Sequence, residues 1–198
     1  MGILDPILII KAVGVIGIIL IVFAETGLFF GFFLPGDSLL FTAGIFASQG
    51  FLNIEILLLG CILAAILGDT VGYWSGKKYG RQLFDRDQGF FFKKKRLYEA
   101  EIFYEKHGKS TIIIARFVPI IRTFAPIVAG IGNMNYKSFI SYNIFGGVVW
   151  VSGLLLLGYF LGSLIPDPDK YIIPIAFLII VLSFLPIIIK MIRFKLNK

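Results

Sequence analysis

One cysteine and one histidine in 198 residues remove whole classes of chemistry before any motif is considered. Cys61 alone cannot close an intrachain disulfide, so the redox compartment is not encoded, and neither it nor His107 can supply a cysteine or histidine metal site. Charge is scarce as well: 16% of residues are charged against 58% hydrophobic, and the mean hydropathy of +0.89 exceeds what a soluble domain carries. Also missing is a basic stretch followed by an apolar run and a small-residue cleavage site. The first apolar run is therefore expected to be retained rather than removed as a signal peptide. No cofactor and no metal are expected.

What is present is a series of apolar runs of spanning length, which makes the chain an all-α polytopic membrane protein, taken as one membrane domain over residues 1–198. A net charge of +7 would ordinarily raise nucleic acid as a partner, but the basic residues cluster between the apolar runs, where orientation signals sit. Nucleic acid is thereby set aside; membrane lipids and protons are the expected partners, and a homo-oligomer stays open.

The stretch that stands out is ARFVPIIRTFAPIVAGIGNM, residues 115–134, where Arg116, Arg122, Pro119 and Pro126 interrupt an apolar run. Arginine in the middle of a membrane helix costs about 2.5–3.5 kcal/mol on insertion scales, so each needs a partner or water. At about 100° per residue, six positions place the two arginines on nearly opposed faces of a straight helix. Each proline removes a backbone donor and crowds the preceding turn, so a break is expected at both. Lipid tolerates such breaks only where backbone is buried in protein or lines a wet cavity. Residues 110–134 are therefore expected to enter and leave on one side.

Residues 7–23, with Lys11 near their start, are long enough to cross the bilayer or to lie along its surface, with crossing preferred. FAETGLFFGFFLPGDSLLFTAGIFASQG follows, carrying Glu25 and Asp37 and broken by Gly31, Pro35 and Gly36. Twelve residues separate the two acids, about 18 Å on a continuous helix, so they meet only if the chain doubles back near Pro35 and Gly36. Residues 54–74 have the composition of a plain spanning helix, with Asp69, Tyr73 and Trp74 near its end. Asp69 is expected to cap or to pair with Lys77 or Lys78, and Asp69 and Tyr73 are supporting candidates for the site.

Ten of the 19 basic residues fall in residues 76–109, a loop expected in the cytoplasm. Residues 137–162 and 172–189 are expected to span, and the tail adds Lys190, Arg193, Lys195 and Lys198. If residues 110–134 are re-entrant, two crossings return this basic tail to the cytoplasm. The first hairpin then enters from outside, giving two oppositely oriented halves, each a broken hairpin plus a spanning helix, as in secondary transporters. Within that plan Glu25 and Asp37 approach Arg116 and Arg122. Charge balance alone is one role for them; an anion site is the other, because the planar guanidinium fork suits phosphate. Burial favours an uncharged acid and a neighbouring arginine a charged one, so Glu25 and Asp37 are expected to respond to protons.

Three motifs, FAETGLFFGFFLPGDSLL at 23–40, GDTVGYWSGKKYG at 68–80 and FYEKHGKSTIIIARFVPIIRTFAPIVAG at 103–130, resemble the DedA family of membrane proteins, also called SNARE-associated or VTT-domain proteins. The likeness covers about residues 20–162. It implies an inner-membrane protein with two opposed re-entrant hairpins that moves lipids such as undecaprenyl phosphate or phosphatidylethanolamine and depends on the proton gradient. It also implies functional roles for Glu25, Asp37, Arg116 and Arg122. Lys77 and Lys78 stand where the family commonly has arginine. The expected function is a proton-coupled flippase for a phosphate-bearing lipid such as a polyprenyl phosphate, with Arg116 and Arg122 on the phosphate. An uncoupled phospholipid scramblase or a phosphatidylethanolamine translocase is the alternative. A lipid phosphatase is disfavoured, since known phosphatase chemistries need a nucleophile with a general acid or a metal, and His107 lies in the loop.

Overall fold

The computed structural model describes residues 6–28, 31, 34–85, 112–113, 116 and 119–164, and its regular structure there is helical throughout. Among these residues five helices follow in order: α1 Pro6–Gly27, α2 Gly36–Ser48, α3 Ile54–Asp85, α4 Pro119–Ile131 and α5 Tyr136–Ser163. Among the described residues two stretches are long and apolar enough to cross a membrane: Ile54–Gly80, of 27 residues, and Tyr136–Ser163, of 28. At 1.5 Å per residue each reaches about 40 Å, more than the hydrocarbon core.

Two sequence expectations change here. α3 does not stop near Trp74 but continues through Asp85, so the first ten residues of the expected loop at 76–109 are helical. Pro126 does not break its segment either, since it lies inside α4. Proline withholds one donor and crowds one turn, and tight packing against a neighbouring helix offsets that loss. Pro119 opens α4, where its missing N–H is one that no helix uses. The rest of the expected loop and the expected helix at 172–189 lie outside the described residues.

α2 and α4 end alike, and this is where the chain repeats itself. Each has 13 residues. Phe51 N–H donates to the Phe46 carbonyl and Gly50 N–H to that of Ala47, both at 3.1 Å. Met134 N–H donates to Ala129 at 3.0 Å and Asn133 N–H to Gly130 at 3.1 Å. Both ends are Schellman motifs, with Gly50 (φ 75°) and Asn133 (φ 51°) in the left-handed position that glycine and asparagine tolerate best. An asparagine then starts each long helix. Asn53 Oδ1 accepts from Ile56 N–H at 2.9 Å, and Asn135 Oδ1 from Lys137 N–H at 3.0 Å.

The chain divides into two compact units: residues 1–21, 33–61 and 151–198, and residues 22–32 and 62–150. In the first, α2 lies on the later part of α5. A methyl group added at Gly44 would stand 2.9 Å from Tyr159 N, and one at Gly162 would stand 2.9 Å from Ile45 Cα. Gln49 Nε2 donates to the Gly162 carbonyl at 2.6 Å. In the second unit, α4 lies on the later part of α3. A methyl at Gly76 would stand 2.8 Å from the Ile127 carbonyl carbon, and one at Gly130 would stand 2.8 Å from Lys77 N. Helices come this close only where small residues let backbones meet, the usual basis of helix association in lipid. Each 13-residue helix is thus seated on the long helix that follows the other one.

Candidate functional site

Everything that positions the site lies in the second unit. α1 ends two residues after Glu25, and the chain folds tightly back: Leu28 N–H donates to Ala24 O at 3.0 Å and Gly31 N–H to Leu28 O at 2.8 Å. Thr26 ties its hydroxyl to its own helix, donating to Val22 O at 3.0 Å, so it makes no demand on the site. Glu25 is buried, 2% exposed. Arg122, in the first turns of α4, is also buried and donates from Nη2 to Glu25 Oε1. Its guanidinium carbon sits 4.3 Å from the centroid of the Trp150 ring on α5, a cation–π contact.

Arg116 precedes α4 in a turn, its N–H donating to Ile113 O at 3.2 Å, and its side chain is 2% exposed. Nη2 donates to Asp69 Oδ2 on α3, forming an ion pair, and to Asn143 Oδ1 on α5 at 2.5 Å. Asn143 in turn donates from Nδ2 to the Ile66 carbonyl at 3.1 Å, which fixes the orientation of its amide. The guanidinium runs along two glycines of α5: a methyl at Gly146 would stand 3.4 Å from Arg116 Cδ, and one at Gly147 would stand 2.7 Å from Nη1. Within this ion pair, Arg116 Nη1 and Asp69 Oδ1 stay buried without a hydrogen-bond partner among the described residues.

Asp69 is therefore not a cap, nor the partner of Lys77 or Lys78. Lys77 instead stands 5.3 Å over the Trp74 ring and Lys78 5.2 Å over Tyr79. Asp69 is the carboxylate of Arg116. Asp37 is half-buried in the first turn of α2, with Pro35 at the cap position and Gly36 as the first residue. Tyr73 is a packing residue: its ring stacks on Phe139 with centroids 4.6 Å apart and its hydroxyl donates to Met134 O at 2.5 Å, pinning the turn between α4 and α5. Among the described residues no cluster of side chains could hold a metal ion.

The VTT domain matches residues 34–160, most of the chain. Protein DedA of Escherichia coli (strain K12) is 46% identical over 178 residues, covering 89% of this chain and 81% of the relative. The chain belongs to the VTT-domain family. An uncharacterized membrane protein of Mycobacterium tuberculosis (strain ATCC 25618 / H37Rv) is 44% identical across 96% of this chain and 87% of its own length. Inner membrane protein YqjA of Escherichia coli (strain K12) is 34% identical across 72% of this chain and 65% of its own. No solved structure matches the chain. With two long apolar helices among its described residues, all of whose regular structure is helical, and with these relatives, this VTT-domain chain is a membrane protein.

In this VTT-domain protein four residues of the site escaped the sequence reading: Asn143, Gly146, Gly147 and Trp150. They share one buried face of α5, at three- to four-residue spacing. The signal available was the asparagine itself, a polar side chain in the middle of an apolar run.

Proposed function

We propose that the protein carries a phosphate-bearing lipid, of the polyprenyl phosphate kind, across the inner membrane, coupled to protons. The observation that carries this reading is the buried arrangement of two arginines, each on a carboxylate, inside one helical unit of a membrane protein. Two buried ion pairs are a poor means of stabilising a fold, since an apolar replacement of similar volume commonly does as well or better. They make sense where the cations are lent to a ligand. Arginine supplies a planar fork for phosphate oxygens while the lipid chain stays in the bilayer. A carboxylate competes for the same fork, and protonating it releases the arginine. Glu25, the carboxylate on Arg122, is the acid that competes in this way, and Asp37, in the first turn of α2, is assigned with it to the response to protons.

The topology belongs to the same proposal: two re-entrant hairpins of opposite orientation, with the basic loop and the C-terminus in the cytoplasm. It is supported by the repeated helix end, left-handed residue and asparagine cap at Gly50–Asn53 and Asn133–Asn135, and by the way each short helix sits on the other half's long helix. The relative YqjA, an inner membrane protein, supports the inner membrane as location.

The test is translocation of polyprenyl phosphate in proteoliposomes, with and without an imposed pH gradient. Wild type is expected to respond to the gradient, while Glu25→Gln and Asp37→Asn retain lipid binding and lose the acceleration. Transport by wild type that ignores the gradient would remove the proton and leave uncoupled scrambling.

A further inference from the structure

The Asp69–Arg116 pair is only half made. A guanidinium and a carboxylate side by side can form two parallel hydrogen bonds, and a buried pair gains most when it does. Here Nη2 takes both acceptors, Asp69 Oδ2 and Asn143 Oδ1, while Nη1 and Asp69 Oδ1 have no hydrogen-bond partner among the described residues. Nη1 lies instead against Gly147, where an added methyl group would stand 2.7 Å from it and crowd it. Asn143 is anchored separately, through Nδ2 to the Ile66 carbonyl. It therefore holds Nη2 whether or not Asp69 does.

We infer that Asp69 is the resident anion of Arg116, and that it and the phosphate of the cargo alternate on one guanidinium. Asn143 is the positioning residue that keeps the fork in place during the exchange, and Gly147, without a side chain, lets Nη1 lie against α5 with its hydrogens unclaimed. The geometry fits such an exchange better than a fixed structural pair. A fixed pair would close both ends of the fork, and a side chain at position 147 would cover the open one. The inference rests on the reading of the protein as a carrier of phosphate-bearing lipid, and it gives one of the two arginines a specific competitor and a specific open edge.

Affinity is measured on the purified full chain in detergent micelles with three probes: farnesyl phosphate, farnesol and inorganic phosphate. Wild type is expected to bind farnesyl phosphate and not farnesol. Asp69→Asn removes the competing charge, so farnesyl phosphate is expected to bind on the order of ten-fold tighter, the worth of one charge-assisted hydrogen bond. Gly147→Ala crowds Nη1 and is expected to weaken it by a similar factor, while Gly153→Ala, where an added methyl meets nothing within 4 Å, leaves it unchanged. A merely structural role for Asp69 predicts the reverse for the asparagine variant, and wild-type or weaker affinity in that variant overturns the inference. Should Asp69→Asn fold only when farnesyl phosphate is present during extraction, the phosphate has replaced the carboxylate and the inference holds; failure to recover it even then overturns it. Wild-type affinity in Gly147→Ala overturns the assignment of Nη1. Wild type that binds farnesol as well as farnesyl phosphate defeats the carrier reading itself, and inorganic phosphate binding as tightly as farnesyl phosphate keeps the exchange but removes the lipid.

Discussion

Glu25 and Arg122 form an ion pair shut away from solvent on both sides. Both side chains are 3% exposed, in a unit whose surroundings are apolar. Removing one partner of a buried ion pair leaves the other charge uncompensated, which costs about 3–5 kcal/mol. Glu25→Gln is expected toward the lower end, because its amide oxygen can still accept from Nη2. Arg122→Gln is expected to cost more, since it leaves a carboxylate and also forfeits the contact with Trp150, worth about 0.5–2 kcal/mol. Carrying both changes removes both charges, so the double variant is expected to recover a coupling energy of about 3 kcal/mol relative to the sum of the singles. Every other contact of Arg122, the Trp150 ring included, is lost equally in the single and the double variant and cancels from the cycle. The assay is equilibrium unfolding in mixed micelles titrated with a denaturing detergent, for wild type, both singles and the double. Additivity within about 0.5 kcal/mol would mean that the two side chains do not share an ion pair and would refute the geometry. The double variant is also expected to be stable and inactive in lipid transport, separating fold from function.

Two further outcomes follow from the fold. Cysteine placed at Asn133 in a Cys61→Ala background is expected to react with an impermeant thiol reagent from the cytoplasmic side, as is cysteine at His107; labelling of position 133 only from outside would make residues 110–134 a spanning helix. Gly76→Ala is expected to lower the unfolding midpoint by about 1–3 kcal/mol equivalent, because its methyl would meet the Ile127 backbone, whereas Gly153→Ala is expected to raise it by up to about 1 kcal/mol through helix propensity alone. Equal stability of the two alanine variants would contradict the packing of α3 on α4.

Both arginines and Glu25 were legible in the sequence because a charge in an apolar run needs an explanation wherever it stands. Their partners were not equally legible. The nearest opposite charges to Asp69 in sequence are lysines eight and nine residues along the same helix, whereas its partner Arg116 lies 47 residues away. Pro126 was read as a break because proline weakens a helix in isolation; the glycines of α3 that seat α4 are what override it, and that packing has no local signature around Pro126. The repeat was hidden for a similar reason. Gly50 and Asn133 do the same backbone work with different side chains, so comparison of letters passes over what comparison of dihedral angles shows at once.

The glycines of α3 that receive α1 and α4 fall at positions 68, 72, 76 and 80, one every four residues. Four residues advance a helix by about 6 Å and return it to nearly the same face. A surface built this way has a translational period: seen from α4, the track looks almost the same one notch up or one notch down. Bulky interlocking side chains would oppose any sliding, but bare backbone does not, and one-turn ratchets of a helix along a partner are a known form of conformational switching. The same feature that lets the helices lie close therefore sets no unique register by itself, and the side chains around it, Arg122 on Glu25 and the Tyr73 hydroxyl on Met134 O, select the one observed.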